Sequence, residues 1–192
     1  FEGASFDTLA ARGHRLERLD AAAIAARFPA WAPERYCDGY FNPQGGWAES
    51  GRVVEALFAE CRAAGVAIVE GACIRPLSAS PGRVEALELE SGDRVSGGAF
   101  VIAGGAFTPS LVPELADRLV AVGQAVFHFQ PPPGESFTPP AFPPWAADIA
   151  TSGWYGFPMH AGVIKIANHG SGRVVDPRAP RVVGDEKEAV FR

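Results

Sequence analysis

Half of the residues in 131–144, PPPGESFTPPAFPP, are proline. No helix or central strand runs through such a stretch, because each proline lacks a backbone N–H and fixes its own φ. The segment is therefore a loop or polyproline stretch. An exposed, repeated PxxP would make it a ligand for SH3-type domains, but strand-like sequence resumes directly after it and argues against that reading. The pattern changes slightly earlier, where 120–130 begins to alternate as a strand. A domain change is expected there, giving 1–119 and 120–192.

Ahead of that change, helical and strand periods follow one another. Asp20 sits where an N-cap belongs, in front of an alanine-rich run that stops at Phe28-Pro29. A short strand is expected at 39–41, with a turn at Gly45 and Gly46. Val53, Val54, Leu57, Phe58 and Cys61 have the spacing of an amphipathic helix over 49–64, closed by Gly65. A β-branched run at 66–69 reads as a strand. Residues 72–74, 83–89 and 94–95, with Ser91-Gly92-Asp93 as a turn, read as a hairpin or three-stranded meander. The apolar run 98–107 has the character of a strand buried on both faces, and Thr108-Pro109-Ser110 starts a helix expected to reach Leu119. That order predicts an α/β (α+β) fold, with one layer of a parallel sheet and a β-meander over 45–119.

Composition removes several function classes. The net charge is −5, with 47% hydrophobic and 20% charged residues. Without a basic block, nucleic acid and anionic membrane are poor partners. No apolar run approaches the roughly 20 residues of a membrane helix, and the first residues lack the pattern of a signal peptide, so a soluble, cytoplasmic protein is expected. Cys37, Cys61 and Cys73 have no disulfide or zinc spacing and are expected to be buried thiols. The four histidines are not spaced as a metal site, so no metal is expected, and His14, His128 and His160 read as structural or surface residues. The chain opens inside a possible helix without methionine or cap, and 184–192 opens a helix at Asp185, with Glu188 near the capping-box position. Both ends are expected to be internal to a longer protein.

The chemistry is concentrated in 154–169, WYGFPMHAGVIKIANH. Lys165 stands alone among Val163, Ile164, Ile166 and Ala167, and lysine is seldom fully buried unless something pairs with it. Because side chains alternate along a strand, Lys165, Ala167 and His169 share one face, and Ile164, Ile166 and Asn168 share the other. The aromatic run ending at Pro158, followed by Met159-His160-Ala161-Gly162 as a turn, makes the segment a hairpin. With Ile149 and 120–130 it completes an antiparallel sheet. Taken alone, Lys165 and His169 fit a snorkelling lysine and a surface histidine; the aromatic and glycine-rich neighbours favour a functional surface.

The YGFP strand, the small-residue turn, the lysine in an apolar strand and the histidine four residues later resemble the FAD-dependent amine oxidases that include monomeric sarcosine oxidase and N-methyltryptophan oxidase. Supporting pieces are the F-x-P-x-x-G at Phe41, Pro43 and Gly46, the turn Ala103-Gly104-Gly105-Ala106-Phe107, and Asp176-Pro177. The resemblance implies an FAD-binding domain over 1–119 and an antiparallel substrate domain over 120–192. It implies that Lys165 lies over the flavin and promotes reaction with oxygen, that His169 is its active-site neighbour, and that Tyr155 faces the substrate. It places Ile74 near the adenine and Ala103, Gly104, Gly105, Ala106 and Phe107 against FAD. The implied substrate is a secondary or primary amine of the sarcosine or N-methyl amino acid type. Departures are Phe107, where the family often has tryptophan, and Gly123, where an arginine commonly precedes Gln124; no cysteine matches the family's covalent flavin attachment.

On physical grounds, a strand ending in Gly104-Gly105 lets backbone amides approach a ligand, although a glycine pair there also serves plain packing. No G-x-G-x-x-G follows a strand and opens a helix. The chain alone is therefore expected to hold FAD weakly, and a sheet lacking its first strand to self-associate through an unpaired edge. Two other readings stay open: a non-catalytic folded fragment, and a flavin-dependent amino-acid dehydrogenase using another electron acceptor, in which a lysine at the flavin face is less expected.

Overall fold

The computed structural model describes residues 2–32, 34–77, 82–134 and 136–191. In chain order the elements are α1 (Glu2–Ala11), β1 (Glu17–Asp20), α2 (Ala21–Arg27), β2 (Asp38–Phe41), α3 (Ser50–Ala63), β3 (Ala86–Glu88), β4 (Arg94–Ser96), α4 (Thr108–Leu111), β5 (Val122–Gly123), β6 (Val126–Phe129), β7 (Trp145–Ala147), β8 (Trp154–His160), β9 (Val163–Asn168), β10 (Arg173–Val174) and α5 (Asp185–Phe191). They form two compact units. One holds 1–48, 124–172 and 181–192, the other 49–123 and 173–180. The units therefore do not follow the expected division at 119/120, since 1–48 goes with 124–172.

In the first unit, α1 is followed by a β-ribbon and a capped helix. β1 and β2 pair antiparallel, with Glu17 opposite Phe41. Asp20 then accepts a 2.8 Å hydrogen bond from the Ala23 amide, an N-cap interaction that contributes about 1 kcal/mol. α2 stops at Phe28, whose N–H donates to the Ile24 carbonyl, and Pro29 prevents continuation. Leu19, Ile24 and Phe28 are buried together against Ala23, Trp31 and Phe41. Arg27 pairs with Glu17 and lays its guanidinium 4.0 Å from the Phe41 ring centre. β1 is legible in the sequence only in retrospect, because Leu19 is its single buried side chain.

The larger sheet of this unit has the order β6-β9-β8-β7, antiparallel throughout. One face carries Phe127, Ile166, Gly156 and Trp145 in register. Phe191 of α5 packs there, 4.5 Å from Phe127 and 4.8 Å from Trp154 between ring centres. β7 was not expected; the sequence pointed to Ile149, two residues beyond it.

The hairpin itself differs from expectation at its tip. β8 does not end at Pro158 but continues to His160, and the turn is only Ala161 and Gly162, with φ of 49° and 83°. Left-handed φ at both central residues matches the right-handed twist of the flanking strands. The strand passes Pro158 because the ladder shifts register between Phe157 and His160, where a proline costs no ladder hydrogen bond. Met159 instead donates its N–H to the Phe137 carbonyl at 2.8 Å, which ties the proline-rich loop to the hairpin.

In the second unit α3 forms where the apolar spacing put it, yet the stripe is not buried: Val53, Val54, Leu57 and Phe58 are 38–53% exposed. β3 and β4 pair antiparallel, Ile74 bridges Leu89, and Arg75 N–H donates to the Glu88 carbonyl, which completes the expected meander. The parallel layer expected over 45–119 is not formed. Among the described residues every strand pair is antiparallel, 66–69 and 98–104 are irregular, and Val101 is 89% exposed. Among the described residues neither run has a neighbouring strand to complete its ladder, and glycines at 97, 98, 104 and 105 flank the second and weaken its strand propensity. The expected helix to Leu119 is broken after Leu111, because Pro113 cannot donate to the helical ladder. All three cysteines are exposed, which corrects the expectation of buried thiols: Cys61 lies on α3, and the other two lie in 37–38 and 71–73, segments with little packed around them. The mixed α/β class with antiparallel sheets is as expected. Among the described residues no helix is long and apolar enough to cross a membrane.

Candidate active site

The face of the four-stranded sheet opposite Phe191 is assembled by register. On β9 Lys165 has Phe157 of β8 directly across on one side and His128 of β6 on the other, while Tyr155 lies across from Ala167. Directly opposed residues in an antiparallel pair project from the same face. Tyr155, Phe157, Lys165 and His128 therefore share a surface. Lys165 Nζ lies 4.9 Å from the centre of the Phe157 ring, a cation–π contact, and the residue is half-buried. A cation on an aromatic face loses part of its hydration and gains attraction from the ring quadrupole. That answers the question of what accompanies a lysine in an apolar strand.

His169 follows β9 and is held from below by its own backbone. Its N–H donates to the Gly153 carbonyl at 2.6 Å. Gly153 has φ of 68°, and a Cβ there would lie 2.7 Å from the His169 carbonyl oxygen. Only glycine fits that approach without strain. The neighbouring Asn168 donates its side-chain amide to the Ser152 carbonyl, and Gln124 donates to the Gly170 carbonyl. The His169 ring then stands 6.4 Å from Tyr155, edge to face, and Tyr155 stands 6.1 Å from Phe157. The loop beneath is closed by Asp148, whose carboxyl accepts from the Ser152 hydroxyl at 2.6 Å and is held below its ordinary range by that hydrogen bond.

Lys165, Tyr155 and His169, the three side chains singled out from the sequence, are thus brought onto one face. Phe157, His128 and Trp47 were not assigned to it. Phe157 is visible two residues after Tyr155 in the strand alternation, but His128 is opposite Lys165 only through a register that no local pattern encodes. Trp47 comes from the irregular segment after Gly45 and Gly46, with its ring 6.2 Å from Phe157 and 5.3 Å from His160.

The residues placed against the cofactor by resemblance belong to the second unit. Ile74 is half-buried at its bridge to Leu89. Gly104 is closely packed, since a Cβ there would lie 3.0 Å from Leu111 Cδ1, whereas Gly105 has φ of 52° and open space where a Cβ would point. Ala103, Ala106 and Phe107 are exposed. Gly105 and Ala106, with Pro109, Leu119, Val120, Ala121 and Val122, line an apolar cavity of about 260 Å³.

Solved structures share this fold. The chain is similar to a thermally stable mutant of fructosyl peptide oxidase, with TM-score 0.69 and 24% identity over 88% of this chain and 41% of that one. It is also similar to the open form of NikD, an unusual amino acid oxidase essential for nikkomycin biosynthesis, with TM-score 0.67 and 21% identity over 97% of this chain and 49% of that one. The chain therefore spans less than half the length of either structure. No curated protein matches it. The model of the FAD dependent oxidoreductase family (DAO) matches residues 2–191, and the chain belongs to that family.

Proposed function

We propose that the enzyme carrying this chain oxidises a secondary or primary amine, of the sarcosine or N-methyl amino acid type, with oxygen as electron acceptor. The observation that carries the reading is Lys165, a cation stacked on Phe157 on a face shared with Tyr155 and His169. FAD is the cofactor of the family; when bound it takes up a hydride equivalent from the carbon beside the amine nitrogen and delivers the electrons to the acceptor. Two features of this chain support a fit. The left-handed Gly105 turn leaves its backbone open beside an apolar cavity, so Ala103, Gly104, Gly105, Ala106 and Phe107, with Ile74, would hold part of FAD through apolar contact and backbone. Lys165 supplies a fixed positive charge where negative charge develops on oxygen, an electrostatic contribution already organised before reaction. Tyr155 offers a phenol to the substrate, and His169 a second basic side chain for its carboxylate.

A dehydrogenase using another acceptor gains nothing from such a cation, which favours the oxidase. In the complete FAD-loaded enzyme, an N-methyl amino acid is expected to bleach the flavin absorbance anaerobically and to yield hydrogen peroxide on admission of air. Bleaching that persists in air and is discharged only by an artificial electron acceptor would establish the dehydrogenase instead.

The exposed stripe of α3 supports self-association of the 192-residue chain expressed alone, on a helix face rather than a sheet edge. Light scattering is expected to give a mass above 20.2 kDa that falls towards it on dilution. A monodisperse monomer at every concentration would remove this proposal.

A further inference from the structure

We infer that Trp47 is a specificity-determining residue, an aromatic wall that selects amines carrying a flat apolar substituent. The inference rests on the proposed amine oxidation and concerns which amine is taken. Trp47 is 39% exposed, whereas Trp31, Trp145 and Trp154 are half-buried. Trp47 is thus the most exposed of the four tryptophans, and part of its indole is open to a ligand. Its ring touches the hairpin at two places, edge-on to Phe157 at 6.2 Å and to His160 at 5.3 Å. Phe157 is the same ring that carries Lys165 Nζ, and on its other side Tyr155 and then His169 follow at 6.1 and 6.4 Å.

The aromatic groups thus run as one row: His160, Trp47, Phe157, Tyr155, His169. Tyr155 and His169 make one end of the row polar, Lys165 stands across from Phe157 at its middle, and beyond it Trp47 offers apolar surface, with the His160 imidazole at the far end. An amino acid whose charged groups engage the polar end meets aromatic surface only if its side chain extends along the row. Ring pairs 4.5–7 Å apart in edge-to-face or offset geometry gain beyond their buried area, so a planar side chain gains from Trp47. A methyl amine as small as sarcosine spans only the polar end and gains nothing there.

The test uses the complete FAD-loaded enzyme and its Trp47→Ala and Trp47→Phe variants, with two readouts. Calorimetry compares phenylacetate with acetate, and turnover compares N-methylphenylalanine with sarcosine. The unchanged enzyme is expected to prefer the aromatic probe, and Trp47→Ala to lose about tenfold of that preference. Acetate affinity and sarcosine kcat/KM should fall by a clearly smaller factor than their aromatic counterparts, and Trp47→Phe should keep most of the preference. Equal weakening of both probes would make Trp47 only a support for Phe157 and overturn the inference, as would an unaltered preference. If neither amine is oxidised while the phenylacetate preference still depends on Trp47, the amine-oxidation reading falls and the wall stands.

Discussion

Gly156→Ala is expected to unfold the chain at markedly lower urea concentration, by about 3 kcal/mol or more. Gly156 lies in β8 with Trp145 of β7 on one side and Ile166 of β9 on the other. A Cβ at this position would lie 2.7 Å from the Lys165 carbonyl oxygen and 2.7 Å from Cε2 and Cζ2 of Trp145. The Trp145 ring is a side chain and can shift, but the carbonyl is backbone of the strand that carries Lys165. Relief requires β8 and β9 to separate, which breaks the ladder that sets the face. Removing the ring as well, in Gly156→Ala/Trp145→Ala, should therefore not restore the urea midpoint. A Gly156→Ala midpoint within about 0.5 kcal/mol of the unchanged chain, the range of neutral surface substitutions, would contradict this account of the YGFP glycine.

The same contact shows how far local sequence reaches. α2 was legible because its cap and its stop are both written locally, in Asp20 and in Phe28-Pro29. The sharing of one face by Lys165 and His169 was legible because strand alternation is a two-residue rule, and their contacts to Phe157 and Tyr155 agree with it. The end of β8 was not, because Pro158 is accommodated by a register shift and by a hydrogen bond to Phe137 contributed by the proline-rich loop. A stop signal is relieved here by a partner distant in sequence.

Burial was the least legible property. The spacing of Val53, Val54, Leu57 and Phe58 fixes a helix, but periodicity does not say whether anything covers the stripe. The run 98–107 reads as a buried strand for the same reason, and without neighbouring strands it stays irregular with Val101 in solvent. The candidate site was legible where alternation within one strand decides it and hidden where pairing decides it. His128 reaches Lys165 only through the β6–β9 register, and Trp47 reaches Phe157 from a segment without regular structure.

The second large effect concerns Lys165. Exchange to methionine keeps an unbranched, apolar-compatible stem in β9 and deletes the charge above Phe157, so the fold should survive while the local field does not. A fixed charge aimed at developing negative charge in a partly desolvated site is typically worth about 10²–10³ in rate. The charge on oxygen is compact, whereas a hydride equivalent passed to bound FAD would leave its negative charge spread over the ring system, where the loss of one cation costs less. The two half-reactions should therefore part company. The decisive measurement is stopped-flow flavin absorbance of Lys165→Met in the complete enzyme, following anaerobic reduction by an N-methyl amino acid and, separately, reoxidation by oxygen. The account requires reoxidation to slow by about a hundredfold or more while reduction changes by less than about tenfold; equal slowing of both, or a loss confined to reduction, would contradict it.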